Sequence, residues 1–173
     1  MARLDRFGRG GDQESFVVAG YAAVVFREAS ENFTRQHAAA DTLEGVDFHY
    51  LTQNARINAA SAASLALAPP APVVTGARGQ NLIARDPSGY DASLSWNPSP
   101  GAGGYRVYWR DTWSNQWQHS QATGNVTHLL LPGMSIDDLI FGVAAVDSAG
   151  HESLIRAYTS SPGTLPDVEL VRP

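Results

Sequence analysis

The chain has 173 residues, 43% of them hydrophobic and 17% charged, which leaves room for packed cores in one ordinary domain or two small ones and excludes a disordered chain. Its net charge is −5 and every basic residue is an arginine, which argues against nucleic acid or an anionic membrane as partner and excludes lysine Schiff-base chemistry and a P-loop. Cysteine is absent, so disulfides, thiolate nucleophiles and cysteine-ligated zinc are excluded as well.

Residues 1–11 are polar and Arg-rich without an apolar segment, so they do not read as a signal peptide. No stretch approaches the roughly 18 apolar residues of a membrane helix. Asp12 is placed to cap a short helix through Phe16, Val17 and Val18, which Gly20 ends. The continuous apolar run Tyr21–Phe26 reads as a strand buried on both faces, as in the interior of an α/β sheet. A polar loop follows from Arg27 to Thr42, long enough to suggest a functional role. Asp47 predicts the start of a helix over Phe48–Ala66. Along it Leu51, Ala55, Ala59, Ala62 and Ala66 recur at helical spacing, a small-residue face suited to packing closely on a sheet. One strand and two helices cannot close a core, so this part calls for neighbours from elsewhere.

Ala68-Pro69-Pro70-Ala71-Pro72 divides the chain, because prolines stop a helix and stiffen into an extended connector. The organisation read from this is an α/β part over 1–68, a linker over 69–72, an all-β sandwich over 73–159 and a tail over 160–173. In the sandwich the named strands are Ala92–Trp96, Gly104–Arg110, Gln116–Gln121, Thr127–Leu131, Leu139–Val146 and Ser153–Tyr158. About seven strands at intervals of roughly ten residues indicate a β-sandwich. Tyr105, Val107 and Trp109 share one face of their strand, and Arg106, Tyr108 and Arg110 share the other.

Trp96, Tyr105-x-Val107, Leu131-Pro132-Gly133, Phe141-x-Val143-x-Ala145-Val146-Asp147 and the turn Asp147-Ser148-Ala149-Gly150 together resemble a fibronectin type III module. Where that family carries a tyrosine whose hydroxyl pins a corner, Leu139 stands here, and hydrophobic packing is expected to replace the bond. The fold hosts many roles and names none.

Gly10-Gly11-Asp12-x-x-x-Phe16, Gly20-Tyr21-x-Ala23-Val24, Glu31, His37-x-x-x-Asp41-Thr42 and the stretch Ala55–Pro69 resemble the C-terminal end of the catalytic domain of metallopeptidase family 28. These are co-catalytic zinc aminopeptidases and carboxypeptidases. The resemblance implies an α/β/α sandwich tail, two zinc ions in the complete enzyme with His37 as the last ligand, a peptide substrate and an extracellular or periplasmic location. The family often carries His where Gln13 stands and an aromatic residue where Gln36 stands, which bears on substrate contacts more than on the metal. Its other signals are a His-x-Asp, giving a ligand and the bridging carboxylate, and a Glu-Glu pair, giving base and ligand. None of the five histidines is followed two residues on by Asp, and no Glu-Glu occurs. The expectation is a C-terminal fragment that binds no zinc tightly and turns over no peptide by itself, with the N-terminal catalytic portion missing.

Each site residue also has a plainer reading. A lone loop histidine such as His37 is most often polar surface. Asp41 either orients an imidazole or caps the turn before Leu43, and Asp12 divides in the same way between metal loop and helix cap. Glu14 and Glu31 read as solvated carboxylates, although the resemblance puts Glu31 near the metal loop. Trp113 and Trp117 form either a sugar- or peptide-stacking platform, the basis of an alternative reading as a non-catalytic binding module, or a packing surface between modules.

Overall fold

The computed structural model describes residues 11–21, 23–26, 34–86 and 90–158. Glu31, Ala22, the first part of the 27–42 loop and the tail over 160–173 lie outside the described residues. The chain divides into two compact units, Met1–Ala60 and Ser61–Pro173.

In the first unit α1 spans Gln13–Val18. Asp12 occupies its N-cap position, yet makes no side-chain capping bond, because its backbone is already helical (φ −57°, ψ −26°). The first turn closes instead through the Glu14 N–H on the Gly11 carbonyl at 3.0 Å. At the other end Gly20 adopts φ 85°, Tyr21 N–H bonds the Phe16 carbonyl at 2.9 Å, and Gly20 N–H bonds that of Val17 at 3.0 Å. That pair of bonds is a Schellman stop, which a residue without Cβ permits.

The buried strand predicted over Tyr21–Phe26 does not form among the described residues of the run, and Tyr21 (68%) and Val24 (76%) are largely exposed. A strand buried on both faces depends on partner strands, and among the described residues none pairs with this run. The described residues therefore do not form the α/β sheet of a peptidase tail. The second helix, α2, spans Phe48–Leu67 and is capped as expected: Asp47 Oδ1 accepts from His49 N–H at 2.9 Å and Tyr50 N–H at 3.0 Å. None of its 20 residues is buried, so the small-residue face at Leu51, Ala55, Ala59, Ala62 and Ala66 has no sheet against it. Among the described residues no helix is long and apolar enough to cross a membrane.

The second unit holds the core. Strands β1 (Ile83–Arg85), β2 (Ala92–Ser95) and β5 (His128–Leu131) form one antiparallel sheet in the order β1-β2-β5. Strands β3 (Gly104–Asp111), β4 (His119–Gly124), β6 (Leu139–Val146) and β7 (Arg156–Ala157) form the other, in the order β4-β3-β6-β7. The chain changes sheet between β2 and β3, β4 and β5, and β5 and β6. This interleaving lets alternate residues of both sheets face each other across one core, the arrangement of a fibronectin type III-like all-β sandwich.

Leu94 and Trp96 on one side and Tyr105, Val107, Phe141 and Val143 on the other are all buried. Trp96 and Tyr105 meet with ring centroids 5.4 Å apart and planes tilted by 58°. The alternation read in β3 holds, with Tyr105 and Val107 buried and Trp109 packed against the core. Leu139 also packs there, so apolar contact does replace the missing corner bond. Two other tyrosines add bonds of their own. Tyr105 Oη accepts from Ser99 N–H at 2.9 Å, and Tyr158 Oη donates to the Ser95 carbonyl at 2.8 Å, joining the end of β7 to the opposite sheet.

Pro69 and Pro72, expected in a connector, are instead buried, and Asn97 N–H bonds the Val73 carbonyl at 2.9 Å just beyond them. The strand read over Gln116–Gln121 begins only at His119, which leaves Trp117 in the preceding turn. Strand β1 leaves no mark in the sequence pattern: at three residues it is too short for an alternation to be seen.

Candidate functional site

The segment singled out by the sequence forms a chain of tight turns. Ala38 N–H bonds the Arg35 carbonyl at 3.2 Å, Asp41 N–H that of Ala38 at 3.0 Å, and Thr42 N–H that of Ala40 at 3.1 Å. His37 sits inside it with φ 59°, the one non-glycine residue with positive φ among the described residues. Such a backbone conformation is uncommon for a residue with a Cβ, though His, Asn and Asp visit it most readily. Its imidazole is exposed.

Asp41 does not cap the following turn. The N-cap of the 3₁₀ turn Leu43–Gly45 is Thr42, whose hydroxyl bonds the Glu44 carboxylate and holds it below the usual carboxylate range. Arg35 lies over the same turn, its guanidinium filling the space a Cβ on Gly45 would need.

Among the described residues no three His, Cys, Asp or Glu side chains come together to hold a metal ion. The structure does not bring His37, Asp41 and Asp12 together as the three converging ligands that such a site needs. Asp12 instead lines an open hollow of about 620 Å³ together with Gln13, Phe16, Val24, Phe26 and Asn58. His37 is not among its walls.

The aromatic group separates into two roles. Trp117 is half-buried on the outer face of the four-stranded sheet, where Gly142 leaves room for its ring; a Cβ on Gly142 would lie 2.8 Å from the indole and 2.6 Å from Ile155 Cγ2. Tyr108 flanks that ring at 6.1 Å, and the Arg110 guanidinium lies 5.4 Å from its centroid. On the same face Tyr108 Oη donates to Glu152, whose other oxygen lies 3.5 Å from Arg106 Nε. Burial first, then the Glu152 carboxylate, pushes the Tyr108 phenol up to about 12. Trp117 thus packs on its own sheet, against Gly142 and Tyr108. Trp113, at the tip of the β3–β4 turn, is 82% exposed.

No family model matches the chain. Curated proteins do resemble it. A "Probable zinc metalloprotease" of Pyricularia oryzae is 37% identical over 181 residues, covering 95% of this chain and 33% of that protein. One of Pyrenophora tritici-repentis is 35% identical, covering 87% and 32%, and one of Phaeosphaeria nodorum is 33% identical over the same shares. Among solved structures, an Fn3-like protein from Clostridium thermocellum is 25% identical over 52% of this chain and 88% of that one, with a TM-score of 0.43. An FN3 domain of human collagen XX is 18% identical over 51% and 85%, with a TM-score of 0.35. The chain thus spans about a third of the length of the curated relatives it matches, proteins named as probable zinc metalloproteases, and its similarity to them runs through both of its units.

Proposed function

We propose that this chain is the C-terminal portion of a zinc-dependent exopeptidase of the metallopeptidase family 28 type, acting on peptides as an aminopeptidase. In this reading it is not catalytic alone, and its fibronectin-like sandwich is an accessory module. The observation that carries the reading is the similarity over nearly the whole chain to proteins named as zinc metalloproteases. Two features support it. The turn around His37 keeps an exposed imidazole, and among the described residues no three candidate ligands gather around it. Residues 11–67 contain helices with no buried residue, the condition of a segment whose packing partner is another stretch of polypeptide. His37 is the residue that would contribute to a zinc centre built mostly by that other stretch, with Glu31 and Asp41 flanking it in the sequence.

The test joins this chain to the part of the Pyricularia oryzae relative that it does not match and measures hydrolysis of aminoacyl nitroanilides. The chimera is expected to turn over substrate, the 173-residue chain to show none, and His37→Asn in the chimera to lower turnover on the order of a hundredfold or more while folding is retained. Asn is chosen because it tolerates the positive φ at this position. Hydrolysis by the chain alone, or an unchanged rate in the His37→Asn chimera, would overturn the proposal.

A further inference from the structure

The triplet Asn125-Val126-Thr127 has the form Asn-x-Thr with a residue other than proline in the middle, the pattern that asparagine-linked glycosylation requires. A second triplet of this form, Asn32-Phe33-Thr34, begins outside the described residues. Asn97-Pro98-Ser99 carries the excluded proline, and its Ser99 is buried. Such triplets also arise by chance, so the place of Asn125 in the fold decides whether it can carry a sugar.

Asn125 directly follows β4 and lies in the turn that carries the chain across to β5. Gly124 opens the turn with φ 67°, a conformation that a residue without Cβ adopts freely. At the far end the Thr127 carbonyl accepts from Trp96 N–H at 3.0 Å, which ties the turn to the residue after β2. Between these two ends Asn125, Val126 and Thr127 are all exposed. Strand β4 is the edge of its sheet, and five of its six residues are exposed, so within this unit no further strand stands beside the turn. A bulky, hydrated chain on Asn125 would therefore displace no core residue.

We propose that Asn125 is an acceptor for an N-linked glycan, added in a secretory compartment from a polyprenyl-diphosphate-linked oligosaccharide. The Asn125 carboxamide nitrogen bonds the anomeric carbon of the sugar as the bond from that carbon to the diphosphate oxygen breaks. The electron pair of that bond leaves with the polyprenyl diphosphate, the amide gives up one proton, and nothing is oxidised or reduced. Thr127 supplies the hydroxyl that the host's transferase recognises two residues on. The site does not depend on peptide hydrolysis.

The test secretes the full chain from yeast behind a cleavable leader, together with a reporter glycoprotein that shows donor and transferase to be active. The leader supplies entry to the compartment, so a failure is a failure of the site. N-glycans are released by peptide N-glycosidase in heavy-oxygen water, which turns each occupied asparagine into labelled aspartate, and proteolytic peptides are read by mass spectrometry. Asn125 is expected to carry the label in most of the secreted chains, and the glycosylated chain to keep the near-ultraviolet circular dichroism of a packed sandwich. Asn125→Gln, Val126→Pro and Thr127→Ala should each remove the label, and Thr127→Ser should retain it. An unlabelled Asn125 beside an occupied reporter overturns the proposal, whether or not Asn32 is labelled. A label at Asn125 that persists in Thr127→Ala, or that is confined to aggregated chains, overturns it as well.

Discussion

At the scale of single residues, the two sheets are joined by a polar contact as well as by apolar packing. The Tyr158 hydroxyl crosses from the end of β7 to the Ser95 carbonyl, in a site where burial pushes the phenol well above its ordinary value. Tyr158→Phe keeps the ring and removes this bond, so a loss of about 1 kcal/mol in urea unfolding is expected, consistent with the net value of one buried hydrogen bond. Tyr108 gives a spectroscopic counterpart. Its phenol, pushed up to about 12, should titrate at 295 nm later than an exposed tyrosine, and Glu152→Gln should bring it down. A raised native pKa means that the stabilisation is complete below about pH 10 and is lost as pH rises through about 12. Asp147 behaves with the opposite sign. The bond from the His151 ring at 2.8 Å, aided by the His151 and Ala149 N–H groups, holds its carboxyl below the usual range. Its contribution is present above about pH 4 and is lost as pH falls through the lowered value. Asp147→Asn should therefore flatten the acid side of the stability profile.

At the scale of elements, local cues act where the partners are local. The β6 strand Leu139–Val146 and the Asp47 cap of α2 appear as read, the strand because its continuously apolar run finds β3 and β7 to pair with, the cap because an Asx bond needs only the next residues. Asp47→Ala should cost α2 about 1 kcal/mol, seen as lower ellipticity at 222 nm. The start of β4 lies later than the aromatic Trp117 suggests, because its ring fills a slot on the outer face of the four-stranded sheet that only the three-dimensional position of Gly142 reveals. That slot is tight: Gly142→Ala should destabilise the sandwich by about 1–3 kcal/mol, the range for overpacking a close-fitting site. The Tyr21–Phe26 run has the pattern of a central strand, but such a pattern reports what its environment must be and cannot provide it. His37 is singled out only by its motif, because one exposed imidazole carries no site geometry by itself.

At the scale of the whole molecule, burial is distributed unevenly. Every fully buried side chain among the described residues belongs to the second unit, from Pro69 onward, while the described residues up to Leu67 include none. Local stability follows burial, so native-state hydrogen exchange on the full chain should protect Val107, Phe141 and Val143 strongly. The amides of α2 should exchange within a few orders of magnitude of an isolated helix. Protection of α2 equal to that of β6 would contradict this. The exposed apolar residues of the first unit, among them Phe16, Val18, Val24 and Leu51, also predict concentration-dependent association in sedimentation measurements.

The indole N–H of Trp96 lies buried with no protein acceptor, 5.4 Å from the Tyr105 ring. With no acceptor to lose, replacing this donor by a ring without one spares a desolvated polar atom, so Trp96→Phe forfeits contact area alone. The same isolation makes Trp96 a natural reporter. Its emission should lie to the blue and resist acrylamide, while Trp113 emits to the red and is quenched. Among the four tryptophans, Trp96 thereby labels the integrity of the sandwich and Trp113 the solvent-facing turn, once Trp109 and Trp117 are replaced by Phe.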